Sequence, residues 1–169
     1  IHISLFFPFF KPAKEWEAFA AEILTRQLLE QVYPDGFQQE LTTNYHQVVL
    51  TNYEGVLRAY AKKGIKPPEE LLSALEKMYD VYLHIVMPNM ITPNLNDGAD
   101  LSMSEALGTA VKLLPERQDL LYLQSGRQKG QPPSFTSTML PYAGYAVMRS
   151  DWSEKAIWCF FEDAPLGFG

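Results

Sequence analysis

Pro34–Tyr53, PDGFQQELTTNYHQVVLTNY, is the stretch on which the fold reading turns. Its opening residues, Pro34-Asp35-Gly36, predict a turn: proline presets φ, and glycine supplies a conformation that other residues avoid. The polar run Gln38-Gln39-Glu40 follows. Thr42 and Thr43 then offer hydroxyls that can cap a helix. Beyond them Tyr45, Val48, Val49, Asn52, Val56 and Tyr60 recur at three- and four-residue steps. That spacing predicts one face of a helix running from about Asn44 to Lys63. Asn44, Tyr45 and His46 stand at its mouth, with Glu40 just upstream. The start of a helix carries partial positive charge, which lowers the cost of a phenolate or a bound carboxylate.

Working outward, Lys11–Val32 reads as a helix, with Pro12 where its missing N–H is not needed. Trp16, Phe19, Ala20, Ile23, Leu24 and Leu28 line one of its faces. Gly64 is placed to end the Asn44–Lys63 helix as a left-handed cap. Pro67-Pro68-Glu69-Glu70 opens another helix that runs to about Val86, with Leu71, Leu72, Leu75, Met78, Tyr79 and Tyr82 as its stripe. Pro88–Asp100, PNMITPNLNDGAD, reads as a polar loop on this helical scaffold, a common place for function. Ser102-x-x-Glu105 is a capping box and predicts a short helix to about Leu114. Glu116–Gln124 predicts one more. Helices joined by short connections imply antiparallel neighbours, in a bundle or in an α/α toroid.

The character then changes. Residues 126–140 are rich in Gly, Pro, Ser and Thr without periodicity and read as a linker. Tyr142–Ser150 and Ala156–Glu162 read as an antiparallel hairpin. Helices followed by strands predict two domains, 1–125 and 141–169, the second only begun within this stretch.

The 169 residues suffice for one ordinary domain or one domain and part of another. Hydrophobic residues make up 47%, enough for a sizeable core. A net charge of −6, with no basic stripe, argues against nucleic acid as the partner. A single cysteine, Cys159, rules out an internal disulfide and a Cys-based zinc site. The apolar start Ile3–Phe10 is too short to span a membrane and is broken by Pro8. The chain begins at Ile1 and ends in an apolar, Gly-rich run, so the expectation is a piece of a longer protein.

Each candidate residue has a plain reading beside its functional one. Tyr45 reads as a core or boundary aromatic, or as a general acid/base. A tyrosine ordinarily titrates at about 10 and needs nearby positive charge or donors to act as a base. His46 reads as a capping or solvent-facing residue, and Glu40 as a solvated loop acid. Asp35, Asp97 and Asp100 sit in turns where Asp is common for backbone reasons. Asn52 and Asn96 could donate to a sugar or cap turns. Trp16 and Trp158 read as core. His2, His46 and His84 do not form a metal set.

The segments PDGFQQELTTNYH, TPNLNDGAD, LPYAGYAVMRSDW and CFFEDAPLGFG, in that order, resemble the heparinase II/III-like polysaccharide lyases and their alginate-lyase relatives. The resemblance covers about residues 5–169. It implies a mainly α fold: an incomplete α/α toroid of antiparallel helix pairs, then the first strands of an antiparallel β-sandwich. It matches Tyr45 to the family's catalytic tyrosine, with His46 also in the catalytic block. Glu40, Asn44, Asn96 and Asp97 become candidate substrate contacts. The family's substrate-carboxylate Asn lies upstream of Ile1–Trp16, and Asn44 is not that residue. Its remaining site histidines follow a turn like Ala164–Gly169. The piece alone is therefore expected to be inactive.

The implied partner is an acidic, uronate-containing polysaccharide, in a periplasmic or secreted setting. No cofactor is evident, and the resemblance leaves room for a structural metal C-terminal to residue 169. The implied reaction is β-elimination, in which a base takes the C5 proton and an acid protonates the departing oxygen. Two alternatives compete. One is a non-catalytic sugar-binding or scaffold toroid. The other is a glycoside hydrolase using Glu40 and Asp97 as its carboxylate pair.

Overall fold

A computed structural model describes residues 1–164. Its elements run α1 (His2–Phe6), α2 (Ala13–Gln31), α3 (Thr43–Lys63), α4 (Glu69–Ile85), α5 (Met103–Ala106), α6 (Ala110–Leu113), α7 (Gln118–Gln124), β1 (Thr138–Leu140), β2 (Tyr145–Arg149) and β3 (Trp158–Glu162). The described residues are thus mainly helical with one small antiparallel sheet in the order β1-β2-β3.

The three long helices start and stop where local chemistry says they should. Thr42 caps α3, its hydroxyl accepting from the Tyr45 N–H at 3.0 Å. Gly64 closes α3 at φ 64. Acidic Glu69 and Glu70 occupy the first turn of α4, directly after Pro68. Helix α4 is the hub and packs against α2, α3 and α7. Leu75, Met78, Tyr79 and Tyr82 are all fully or almost fully buried. Burying a large apolar side chain stabilises by roughly 1.5–3 kcal/mol relative to exposure.

Several expectations need correction. The buried face of α3 runs through His46, Leu50, Tyr53, Leu57 and Tyr60. The predicted face is buried in its second half, at Val56 and Tyr60, but its first half lies one residue from the buried face, about 100° around the helix, with Tyr45 and Val48 47% and 53% exposed. The reason is polar side chains that are satisfied inside. The Tyr53 hydroxyl donates to the Leu24 carbonyl, and Tyr79 donates to the buried Glu54 carboxylate, both at 2.8 Å. Residues that read as polar thus belong to the core.

The Ser102 capping box does not form. Ser102 is the cap residue of α5 but makes no capping bond. Its hydroxyl pairs with that of Ser104. The predicted helix to Leu114 splits into α5 and α6 around Gly108. Trp16 is 43% exposed, stacked on Phe10, and Phe19 on the same stripe is 65% exposed. Trp158 is half-buried, stacked on Phe160. Helix α1 was not anticipated.

The predicted hairpin is present as β2 and β3, with Arg149 opposite Trp158 and Tyr145 opposite Glu162. A third strand, β1, comes from the stretch read as linker. Leu140, Ala143 and Tyr145 pack into a cluster with Phe37, Leu41, Val81, Ile85 and Leu95. The sheet's inner face therefore lies on the end of α4 and on the 37–41 segment. Arg149 is buried under Trp152, with its guanidinium 4.0 Å from the ring, and donates to the His84 carbonyl in the last turn of α4. Opposite, Met139, Met148 and Phe161 are 70%, 52% and 60% exposed. The Gly-rich turn singled out at Ala164–Gly169 lies, beyond Ala164, outside the described residues.

Among the described residues no helix is long and apolar enough to cross a membrane.

Candidate functional site

The turn at Pro34-Asp35-Gly36 folds the chain back so that Val32 pairs with Gln38, and the Tyr33 N–H donates to the Phe37 carbonyl at 2.8 Å. Gly36 sits at φ 92, and a Cβ there would lie 2.3 Å from the Lys77 carbonyl oxygen of α4. Only glycine fits. The Asp35 carboxylate accepts from the Tyr142 and Ala143 N–H groups, at 2.8 and 2.9 Å. That Asp therefore does more than shape its own turn: it holds the β1–β2 connection.

Next, the Gln38 side chain accepts from the Glu40 N–H at 2.9 Å. This keeps Glu40, half-buried, beside the start of α3. Leu41 follows, fully buried and at φ 57. Leucine avoids this region, so the surroundings must hold it there. Its carbonyl accepts from Asn96 Nδ2 at 2.9 Å and from the Tyr145 hydroxyl at 3.2 Å.

The Pro88–Asp100 loop reaches the same place from the far end of α4. The Thr43 hydroxyl donates to the Ala99 carbonyl, and Gly98 is so close that a Cβ would stand 2.7 Å from Thr43 Oγ1. Asn96 adopts φ 49, which Asn tolerates better than most residues. The structure thus brings Glu40, Asn44, Tyr45, Asn96 and Asp97 to one end of α3. Asn44, Asn96 and Asp97 are exposed. Tyr45, on the first turn, is nearly half exposed, so solvent reaches its ring.

His46 lies elsewhere than expected: it is in the core, not at the surface. Its ring is fully buried between Phe37 and Tyr82. Nδ1 accepts from the Gln38 N–H at 3.3 Å, and Nε2 lies 3.0 Å from the Met78 carbonyl. An amide can only donate and a carbonyl can only accept, so the proton sits on Nε2. Burial lowers the pKa to about 4, against the opposing bond to Met78. Both nitrogens are occupied by backbone, and neither faces solvent. His84 is likewise lowered to about 4 by burial and by Arg149 nearby. Among the described residues no three His, Cys, Asp or Glu side chains could share a metal ion.

The sequence reading missed Leu41 and Tyr145. Nothing about a leucine signals positive φ. Tyr145 lies within LPYAGYAVMRSDW, yet its partner is 104 residues away.

The family profile described as Heparinase II/III N-terminus matches residues 1–122. The chain belongs to the heparinase II/III family. It is 28% identical to a heparin-sulfate lyase of Bacteroides stercoris over 173 residues, covering 99% of this chain and 26% of that protein. A heparin-sulfate lyase of Pedobacter heparinus is 27% identical over 169 residues, with 95% and 25% covered. Among solved structures, a heparinase III (BT4657 gene product) superposes with a TM-score of 0.87 at 30% identity, over 98% of this chain and 27% of that one. The heparan sulfate lyase HepC of Pedobacter heparinus shares the fold at a TM-score of 0.83 and 24% identity, over 97% of this chain and 26% of that one. The chain spans about a quarter of the length of these heparinase II/III relatives.

Proposed function

We propose that the protein carrying this chain is a polysaccharide lyase that cleaves a uronate-containing, heparan-sulfate-like glycan by β-elimination. The observation that carries the reading is Tyr45: a solvent-reached phenol on the first turn of a rigidly held helix, in a chain matched to heparin-sulfate lyases along nearly its whole length. Donors neutralise the uronate carboxylate and so acidify the C5 proton. The Tyr45 phenolate takes that proton, the C4–O bond breaks, and a C4–C5 double bond forms. The phenol then returns the proton to the departing oxygen.

Glu40, Asn44 and Asp97 are the polar groups at the same end and serve as substrate contacts. His46 acts by position, not by touching sugar. Its two backbone bonds tie the 37–41 segment to α4 and set the stage on which Tyr45 stands. The exposed Trp16, Phe19 and Leu29 of α2 support the toroid reading, because further helix pairs would cover them. The exposed outer face of the sheet supports a β-sandwich in the same way, with a boundary between residues 126 and 140.

The test is an assay of the full-length protein on heparan-sulfate-type polysaccharide. Elimination yields an ultraviolet-absorbing unsaturated uronate. New reducing ends without that chromophore would make the protein a hydrolase, and binding without either product would make it a scaffold.

A further inference from the structure

We propose that Tyr145 and Asn96 are positioning residues that orient Tyr45 by gripping the carbonyl of Leu41. The proposal rests on the reading of Tyr45 as the proton carrier. Leu41 is a non-glycine residue at φ 57 with its side chain completely buried. Such a conformation persists only where the surroundings over-determine it. Here they do so from three sides. The Leu41 N–H donates to the Gln38 carbonyl at 2.9 Å. The side chain sits in the cluster of Phe37, Ile85, Leu95 and Tyr145. The carbonyl takes both Asn96 Nδ2 and the Tyr145 hydroxyl.

Each gripping residue is itself fixed. The Tyr145 ring lies 5.4 Å from Phe37 and 5.0 Å from Phe160. Burial and the nearby Glu162 push its phenol up, so it remains a donor. Asn96 belongs to the loop wedged against Thr43 by Gly98. The route to Tyr45 is short. Leu41 precedes Thr42, and the Thr42 hydroxyl holds the Tyr45 N–H. Without its two donors the Leu41 carbonyl is free to turn. The backbone then relaxes toward negative φ, and the first turn of α3 rotates with it. This also gives Asn96 a role different from sugar contact.

The experiment uses the full-length protein on heparan-sulfate-type polysaccharide. Tyr145→Phe removes one hydroxyl and keeps the ring. We expect kcat to fall roughly 10-fold, since small misplacements of a catalytic group are costly. KM should stay within about twofold, because the substrate contacts remain. Asn96→Asp, which exchanges the donor for an acceptor, gives the same split and serves if Tyr145→Phe does not fold. In a Tyr45→Phe background neither change should lower the residual rate further, since both act through that hydroxyl. An unchanged kcat in both variants overturns the grip. So does an equal fall in the Tyr45→Phe background. A Tyr45→Phe enzyme that turns over normally instead overturns the reading of Tyr45 itself, and takes the grip with it.

Discussion

The two ends of α3 both depend on backbone at positive φ, yet they are built in opposite ways. At the C-terminal end Gly64 sits at φ 64 with nothing within 4 Å of where a Cβ would be. Its N–H bonds stay local, to Ala61 and Tyr60. At the N-terminal end, Gly36 and Leu41 are pressed against α4, the 88–100 loop and the sheet. One end is a stop signal that any sequence could carry. The other is an assembly point where four separate segments converge, and it is the end that bears Tyr45. A helix terminus that is over-determined from outside is fit to hold a reacting group still.

The sharpest way to break this contrast is to add one methyl group at each end. Gly36→Ala places a Cβ within 2.3 Å of the Lys77 carbonyl oxygen at φ 92. Overpacking and backbone strain together should cost roughly 4 kcal/mol. Chemical denaturation of the full-length protein measures this, and a loss below about 1 kcal/mol would show that the turn is not wedged.

Acid probes the same end more gently. His46 has a folded pKa of about 4 against an ordinary 6.5. Between those values the unfolded chain binds the proton and the folded chain does not. Stability from the buried neutral ring is therefore fully present above pH 6.5 and is lost as the pH falls toward 4. The full loss is about 3 kcal/mol. Denaturation midpoints measured across that window should fall, and the fall should shrink by that amount in His46→Gln.

Gly64→Ala should have the smallest effect, about 1 kcal/mol from φ alone. A loss as large as that of Gly36→Ala would erase the distinction between the ends.

The same contrast explains what could be read from the sequence. Pro12, Thr42, Gly64 and Pro67-Pro68 act on their own neighbours, so the three long helices were legible to within a few residues. The buried face of α3 was legible at Val56 and Tyr60 but not nearer the helix start. Tyr53, Glu54 and His46 look polar, and their partners, Leu24, Tyr79 and Met78, lie on other elements. β1 hid in a Gly- and Pro-rich stretch because a strand of three residues leaves no periodicity to read. At the site, resemblance brought Tyr45, Glu40 and Asn96 into view. The grip on Leu41 stayed hidden, because it is made by groups 55 and 104 residues away.

The central claim is that this held end carries Tyr45 as the proton carrier. Tyr45→Phe in the full-length protein, assayed by release of unsaturated uronate, tests it most directly. The ring is nearly half exposed, so losing its hydroxyl should leave the fold and the glycan affinity intact. Turnover should fall by about 10²–10⁴-fold, the usual contribution of a general acid/base. Turnover close to the wild-type rate would contradict the account.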